Sequence, residues 1–320
     1  MRVDRALLAR TASTLGARLD MVEKVMQLLN LLTNLNQHPF LKGKWVLKGG
    51  TALNLFVLAF PRLSVDIDLN YIAALDRAKM LEARPKVEQA IQAVCSREGF
   101  RTTRMPTEHA GGKWRLAYDS SVNQGGNLEV DLNFMLRQPL WGVEIRDSAS
   151  VGGVQAAGVP VLDLHELVAG KLAALMARHV SRDLYDAHGL LTQQNLSDEK
   201  LRLGFVVYGG MNRVEWRDIR TEGISFTADE LREQLVPMIR NSDEMGDVVE
   251  WGRKMVEVCR HEMRRVLPLR ESEIAFLQKL NDHGEIDASL LTSDAVLAER
   301  INRMPMLQWK AQNVRQHRAK

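Results

Sequence analysis

The stretch WVLKGGTALNLFVLAFPRLSVDIDL, residues 45–69, decides the fold. Its first residues, 45–47, form a short, partly β-branched apolar run, and residues 48–50 follow with two glycines, a pattern that predicts a strand and a tight turn. Residues 51–60 have helical spacing and end at a proline. Apolar and polar side chains then alternate over residues 63–69, as in a half-buried strand. The stretch therefore predicts a strand–turn–helix–strand unit.

Asp66 and Asp68 lie two apart on the second predicted strand, so their side chains point to the same face with Cα atoms about 7 Å apart. Two carboxylates placed in this way repel each other unless a cation lies between them. Mg²⁺ prefers hard oxygen ligands and commonly binds one or two protein carboxylates together with substrate phosphates. An Asp-x-Asp pair alone is more typical of a solvated strand face. Its position after a glycine turn and a short helix favours a metal site.

The glycine turn is a candidate phosphate-binding element. Gly49 and Gly50 permit a close approach of the backbone and positive φ angles. Free N–H groups at the N-terminus of the following helix favour anions. The Thr51 hydroxyl is either a donor to a phosphate oxygen or only the N-cap of the helix.

A third acidic residue is expected from the alternating residues 127–134, which follow another alternating run, 113–119, across a hairpin-like connection. Glu129 and Asp131 share the polar face of this predicted strand. If the strand lies beside the Asp66 strand, one of the two acids completes a cage of three carboxylates around the metal. Asp131 is favoured and Glu129 is second, while an ordinary exposed strand face is the alternative.

A cluster of cations follows in the C-terminal half of the chain. On an unbroken helix, Lys171, Arg178 and Arg182 fall within about 40° of one another. Such a stripe suits a triphosphate, because it offsets phosphate charge during transfer. Asp183 and Asp186 would orient these cations, bind a water or hold the base or ribose. The alternative is a solvated helix face with Arg–Asp pairs that contribute little energy.

The remaining patterns divide the chain into two predicted domains. Helical spacing covers residues 4–36 and 77–98, and a short strand is expected within residues 151–161, before Pro160. From residue 162 the pattern is almost wholly helical, with residues 162–191 treated as one helix. We expect an N-terminal α/β domain over residues 1–160 and an α-helical lobe over residues 161–320.

Composition limits the class of protein. The chain has 320 residues, 45% of them hydrophobic and 26% charged, which excludes the disordered class. The formal net charge of +3 is compatible with a nucleic-acid partner but argues only weakly for one. The two cysteines have neither zinc-ligand spacing nor the number of a disulfide scaffold. No apolar run approaches the roughly 20 residues of a membrane span, so we expect a cytoplasmic protein without a membrane partner.

Three motifs resemble a known family. Residues 48–53 (KGGTAL) and 62–69 (RLSVDIDL), followed by a lysine and then Arg-Asp-x-Tyr-Asp within residues 171–186, are similar to the AbiEii/AbiGii-type toxins, including the MenT group, of bacterial type IV toxin–antitoxin and abortive-infection systems. The C-terminal region after Pro268 is also similar. The resemblance implies an α/β fold: a polymerase-β-like nucleotidyltransferase domain with a small mixed sheet, followed by an α-helical C-terminal lobe.

The motifs and the resemblance together give a set of candidate site residues. These are the catalytic residues Asp66, Asp68, Lys171 and Asp183, the phosphate-binding residues Gly49, Gly50, Thr51, Ser64, Arg178 and Arg182, and the metal ligands Asp66, Asp68 and Asp131.

The resemblance also implies an activity. It implies an enzyme that uses Mg²⁺ or Mn²⁺ to transfer a nucleotide from a nucleoside triphosphate to RNA, with the tRNA 3′ end as the expected acceptor, so that translation and growth are inhibited. A cognate antitoxin encoded nearby is expected. The alternatives are an enzyme of the same fold that modifies a protein or small molecule, and an inactive binding module. The intact Asp66 and Asp68 argue against the inactive module.

Overall fold

The structure is a computed structural model that describes residues 2–58, 60–106, 110–242 and 246–318. It is of the α/β class. The strands of the described residues are β1 (Trp45–Lys48), β2 (Asp66–Tyr71), β3 (Arg101–Arg104), β4 (Gly111–Tyr118), β5 (Gly126–Asn133), β6 (Val143–Arg146) and β7 (Val159–Leu162). The α-helices are α1 (Arg5–Leu15), α2 (Leu19–Gln37), α3 (Gly49–Thr51), α4 (Arg77–Arg97), α5 (Leu164–Arg178), α6 (Ser181–Gln193), α7 (Asp198–Gly210), α8 (Ala228–Glu230), α9 (Val248–Glu262), α10 (Glu271–Gln278), α11 (Ala295–Asn302) and α12 (Pro305–Arg318).

All seven strands form one mixed sheet in the order β3-β4-β5-β2-β1-β7-β6. The pairs β2–β5 and β1–β7 are parallel, and the other four pairs are antiparallel. The predicted β4–β5 hairpin is confirmed, with Tyr118 opposite Gly126 at its closed end. The strand that carries Glu129 and Asp131, β5, lies directly beside the Asp66 strand, β2, as a third metal ligand requires.

The chain divides into two compact units. The first contains residues 1–137, 143–162 and 232–246, and it holds the whole sheet with helices α1 to α4. The second contains residues 138–142, 163–231 and 247–320, and its regular structure is helical within the described residues. The domain boundary expected at residue 160 stays a prediction. No helix of the described residues is long and apolar enough to cross a membrane.

The N-terminal helical stretch is interrupted. Residues 4–36 were expected to be helical throughout, but α1 ends at Leu15 and α2 begins at Leu19. Gly16 takes a left-handed conformation with φ 56°, and its N–H bonds back to carbonyls of the last turn, which is a common way for a helix to end. The glycine therefore acts as a helix terminator.

The acidic strand begins three residues later than expected. Alternation predicted a strand over residues 63–69, whereas β2 starts at Asp66. The preceding residues pair elsewhere: the Leu63 N–H donates to the Met238 carbonyl, and Arg62 forms a bridge with Ile239. The alternation itself holds within β2, since Ile67 and Leu69 are fully buried and the two aspartates lie on the partly exposed face.

The helix preceding this strand also differs in detail. It begins at Gly49 as α3 and continues as a π-helical turn over Ala52–Val57, so Thr51 is inside it and is not its N-cap.

The strand expected before Pro160 is β7, which includes that proline. Two strands, β3 and β6, were not predicted; each has only four residues and lies at an edge of the sheet.

Candidate active site

One face of the sheet in the first unit carries a group of carboxylates. In the parallel pair β2–β5, Asp66 lies opposite Glu129 and Asp68 lies opposite Asp131. Directly opposed residues of neighbouring strands point to the same face. Register therefore brings all four acidic side chains onto one surface of two adjacent strands.

The two candidates for the third acid have different surroundings. Glu129 accepts from Lys113 Nζ at 2.9 Å and from Arg115 Nε at 2.9 Å. Hydrogen bonding from Lys113, followed by the charge of Lys113 and the contacts of Arg115, holds the pKa of Glu129 below its usual range. Burial raises the pKa of Asp131, with nearby Asp68 adding to this effect. Glu129 is thus neutralised by protein cations, which leaves Asp131 as the better candidate for a metal.

The negative charge of the Asp66 carboxylate is only partly compensated by nearby cations. Burial raises its pKa, and the charge of Asp68 raises it further, while Lys24 and Lys113 oppose the shift. Carboxylates crowded in this way gain when a cation binds between them. The donor set of hard oxygens fits Mg²⁺ or a similar divalent ion.

The protein does not supply a complete set of metal ligands before substrate binds. The described residues contain no group of three His, Cys, Asp or Glu side chains that could hold a metal ion by themselves. The three expected carboxylates are therefore not preformed as a cage, and their joint binding of a metal stays a prediction. Two carboxylates and a substrate's phosphates are sufficient for Mg²⁺, so the residues present fit a metal that binds together with its nucleotide.

The glycine turn contacts this carboxylate group directly. Gly49 has φ +74°, and a Cβ atom added there would lie 2.1 Å from Asp68 Oδ2. A Cβ on Gly50 would lie 3.0 Å from Ser64 Oγ. The absence of side chains lets the backbone at the start of α3 approach the Asp68 carboxylate, as a phosphate-binding turn next to a metal site requires.

Thr51 and Ser64 have partners inside the protein. The Thr51 side chain is fully buried, and its hydroxyl oxygen lies 3.0 Å from Ser64 Oγ and 2.5 Å from the Asp66 carbonyl oxygen. These contacts connect the glycine turn to the start of β2. In this structure the two hydroxyls position the strand that carries Asp66, and their binding to phosphate stays a prediction.

Lys24 is a neighbour of the site that sequence reasoning missed. It projects from α2, and its Nζ donates to Asn127 Oδ1 at 3.1 Å at the start of β5. Burial lowers the pKa of Lys24, and Asp66 is the foremost of the carboxylates that oppose this shift. No local pattern marks Lys24, because only the packing of α2 brings it near β2 and β5. Lys113 did carry a signal, since alternation in β4 places it on the polar face.

A second cluster of charges lies in the second unit. Lys171 Nζ on α5 is 2.8 Å from Asp183 Oδ1 and 2.9 Å from Asp186 Oδ2, both on α6. The three side chains are only 10%, 5% and 0% exposed. The chain therefore binds Lys171 between two buried aspartates, and this is not a solvated helix face.

The expected stripe of cations on an unbroken helix is wrong. α5 ends at Arg178, and His179 takes a left-handed conformation with φ 55° before α6 begins at Ser181. On a continuous helix Lys171 and Asp183 would be about 18 Å apart. Arg178 pairs with Asp183 at 2.8 Å and is 60% exposed, whereas Arg182 is half-buried on α6. The cluster is thus nearly neutral and does not form a free cationic surface.

Comparisons with known proteins concern the family and the fold of the chain. A family model described as the nucleotidyl transferase AbiEii toxin of type IV toxin–antitoxin systems matches residues 30–246. Among solved structures, the chain is similar to MenT4, a nucleotidyltransferase toxin from Mycobacterium tuberculosis, with a TM-score of 0.60 and 19% identity over 96% of this chain and 99% of that one. At this identity the likeness shows a shared fold. No curated protein matches the sequence.

Proposed function

Since the chain belongs to the AbiEii family of nucleotidyltransferase toxins, we propose that it transfers a nucleotide from a nucleoside triphosphate to an RNA acceptor, with the tRNA 3′ end as the specific target. The observation that carries the chemistry is the pairing of Asp68 with Asp131 and of Asp66 with Glu129 on one sheet face, beside a glycine turn. Modification of that RNA end would block translation and slow growth in the cytoplasm, under the control of a cognate antitoxin.

The reaction needs few groups from the protein. The acceptor hydroxyl oxygen forms a new bond to the α-phosphorus, the bond to the β-phosphate bridging oxygen breaks, and pyrophosphate leaves with the released electron pair. The hydroxyl proton passes to a base or to water. The backbone at Gly49 and Gly50 binds phosphate oxygens, because N–H groups at a helix start favour anions.

Asp66, Asp68 and Asp131 would hold a divalent ion, Mg²⁺ or Mn²⁺, which supplies charge stabilisation to the phosphates when it is bound. Thr51 and Ser64 hold the strand that presents Asp66. Lys24 compensates part of the Asp66 charge from α2.

In the second unit we assign Lys171 and Asp183 to the use of the triphosphate, with Arg178 and Arg182 in supporting roles. The support for this role is the family match, which includes these residues. The ion pairs with Asp183 and Asp186 hold the Lys171 ammonium group in place.

The test is transfer of label from each α-labelled nucleoside triphosphate, with Mg²⁺ and either total RNA or total cell protein. We expect label in a tRNA-sized RNA band with the wild type and none with Asp66→Asn. Label in protein alone would contradict the RNA acceptor, and no label in any acceptor would contradict the enzyme. Strong expression without the antitoxin should slow growth, and the same variant should not.

A further inference from the structure

The polar face of the sheet is electrically divided. Beside the acidic strands, β3 and β4 carry a group that we call the basic strip: Arg101, Arg104, Lys113 and Arg115. Arg104 lies opposite Arg115 and Arg101 lies opposite Ala117, so register places all four side chains on the face that bears Glu129 and Asp131. Neighbouring strands are about 4.8 Å apart, so basic and acidic side chains are adjacent across the sheet.

The basic strip keeps a positive charge and is open to solvent. Lys113 and Arg115 share one carboxylate, that of Glu129, and their side chains remain 47% and 58% exposed. Arg101 is 75% exposed, and its only ion pair within the described residues is a contact of 3.8 Å to the nearly fully exposed Asp119. Exposed pairs of this kind are weak and exchange readily for a stronger anion.

A cavity connects the basic strip to the candidate metal ligand. It has a volume of about 280 Å³, and Arg104 and Lys113 line it together with Asp131 and Asn133. Gly111 and Gly112, both with positive φ, supply backbone without side chains to its wall. An anionic chain lying on the strip would therefore have an entrance next to the carboxylates.

Within the described residues of β3 and β4, the strip offers phosphate contacts but no exposed aromatic side chain for base stacking. The aromatic residues of β4, Trp114 and Tyr118, are 0% and 5% exposed and belong to the opposite, buried face. Binding of single strands without stacking aromatics depends on backbone charge, and so it tolerates many sequences.

We propose that the basic strip binds the sugar–phosphate backbone of a single-stranded nucleic-acid acceptor and leads its reacting end into the cavity beside Asp131. This inference rests on the proposed function, and it adds where the acceptor lies and how it is recognised. Recognition is by phosphate position and not by base identity. An acidic protein acceptor fits less well, because its carboxylates lack the regular spacing of a phosphodiester chain.

The test compares two double variants with the wild type. Arg104→Ala/Arg115→Ala removes two cations of the strip, and Lys79→Ala/Lys86→Ala removes two exposed cations of α4 in the same unit. Fluorescence anisotropy with labelled RNA oligonucleotides of about 12 nucleotides and two unrelated sequences measures affinity between about 50 and 200 mM salt. The strip variant should bind roughly tenfold more weakly, with the salt slope reduced by about 1.4 for two lost contacts. The α4 variant should behave as the wild type.

Each outcome has a definite meaning. An unchanged affinity and slope in the strip variant, or a loss confined to one sequence, would overturn the inference. Pyrophosphate release is measured with the same proteins, triphosphate and RNA. If the strip variant transferred nucleotide to RNA as fast as the wild type, the inference would also be overturned. A wild type that transfers to no acceptor would instead mean that the proposed function fails. Thermal unfolding of both variants near the wild-type temperature confirms that the fold is intact.

Discussion

A side chain at Gly49 would occupy the space of the Asp68 carboxylate, and this close approach makes the first residue of α3 part of the site. A Cβ at Gly49 would lie 2.1 Å from Asp68 Oδ2. The sequence predicted a glycine turn for phosphate binding. It could not show that the glycine also leaves room for the second aspartate, because that contact depends on the pairing of β1 with β2.

The first prediction uses two glycines with the same backbone conformation. Gly49 and Gly43 both have φ +74°, but a Cβ at Gly43 would meet no atom within 4 Å. Gly49→Ala and Gly43→Ala should each lose about 1 kcal/mol of stability from the left-handed backbone. Only Gly49→Ala should also displace Asp68 and lose transfer activity, by at least about 100-fold. Urea unfolding and label transfer on both variants are the measurements, and equal activities would refute the role of the contact.

The second prediction concerns the stability cost of Asp66. Its folded-state pKa is raised by burial and then by Asp68, so the protonated form is favoured in the fold. The stability of the wild type should therefore fall as pH rises from the unfolded value of 3.8 through the folded pKa. Asp66→Asn removes this cost.

At neutral pH, Asp66→Asn should be more stable than the wild type and inactive in transfer. Denaturant unfolding at pH 4 and at pH 7 gives the sign of the change. The gain should be larger at the higher pH. Leu69, on the opposite and fully buried face of β2, offers the matched control: Leu69→Ala should lose stability at both pH values alike. A less stable Asp66→Asn at neutral pH would contradict the electrostatic account.

At the scale of elements, the alternating patterns predicted those strands and faces that depend on local sequence alone. The strand–turn–helix–strand unit, the β4–β5 hairpin and the polar face with Glu129 and Asp131 follow from side-chain period alone. The two short edge strands were not predicted. Strand β3 (Arg101–Arg104) has no apolar alternation, and β6 (Val143–Arg146) is only four residues long. Short edge strands depend on pairing partners that a local pattern does not contain.

The break between α5 and α6 could not be predicted for a different reason. His179 adopts a left-handed conformation, for which glycine is the usual signal at a helix end. The pattern around it favours one continuous helix. The break is nevertheless what brings Asp183 and Asp186 to Lys171. The sequence thus indicated contacts between these aspartates and the cations, but not their geometry.

The third prediction tests the α5–α6 cluster as a structural unit. Lys171→Met leaves two buried aspartates without their shared cation, and the loss of one partner of a buried pair costs about 3 kcal/mol or more. Arg178→Met breaks one contact of a side chain that is 60% exposed, and it should cost at most about 1 kcal/mol. Denaturant unfolding of both variants measures the difference. Similar small losses would mean that water already screens the Lys171 pairs.

For the whole molecule, a net charge of +3 conceals a strong local separation of charge. Acidic side chains of β2 and β5 lie beside basic side chains of β3 and β4 on one sheet face. Composition therefore gave only a weak argument for a nucleic-acid partner, since the two groups cancel in the sum. Register in the sheet, which composition does not contain, separates a region suited to cations from one suited to phosphates.

The last prediction follows from this separation and concerns linked binding. If the described carboxylates bind a divalent ion only together with phosphates, Mg²⁺ alone should stabilise the protein little, and Mg²⁺ with a nucleoside triphosphate should stabilise it much more. A ligand at about 100 times its Kd adds about 2.7 kcal/mol, which is a shift in Tm of several degrees. Asp66→Asn/Asp68→Asn should lose the joint effect, while Lys79→Ala/Lys86→Ala should keep it. A large shift with Mg²⁺ alone would instead indicate that the protein closes a complete metal cage without its substrate, contrary to the arrangement of Asp66, Asp68 and Asp131 described above.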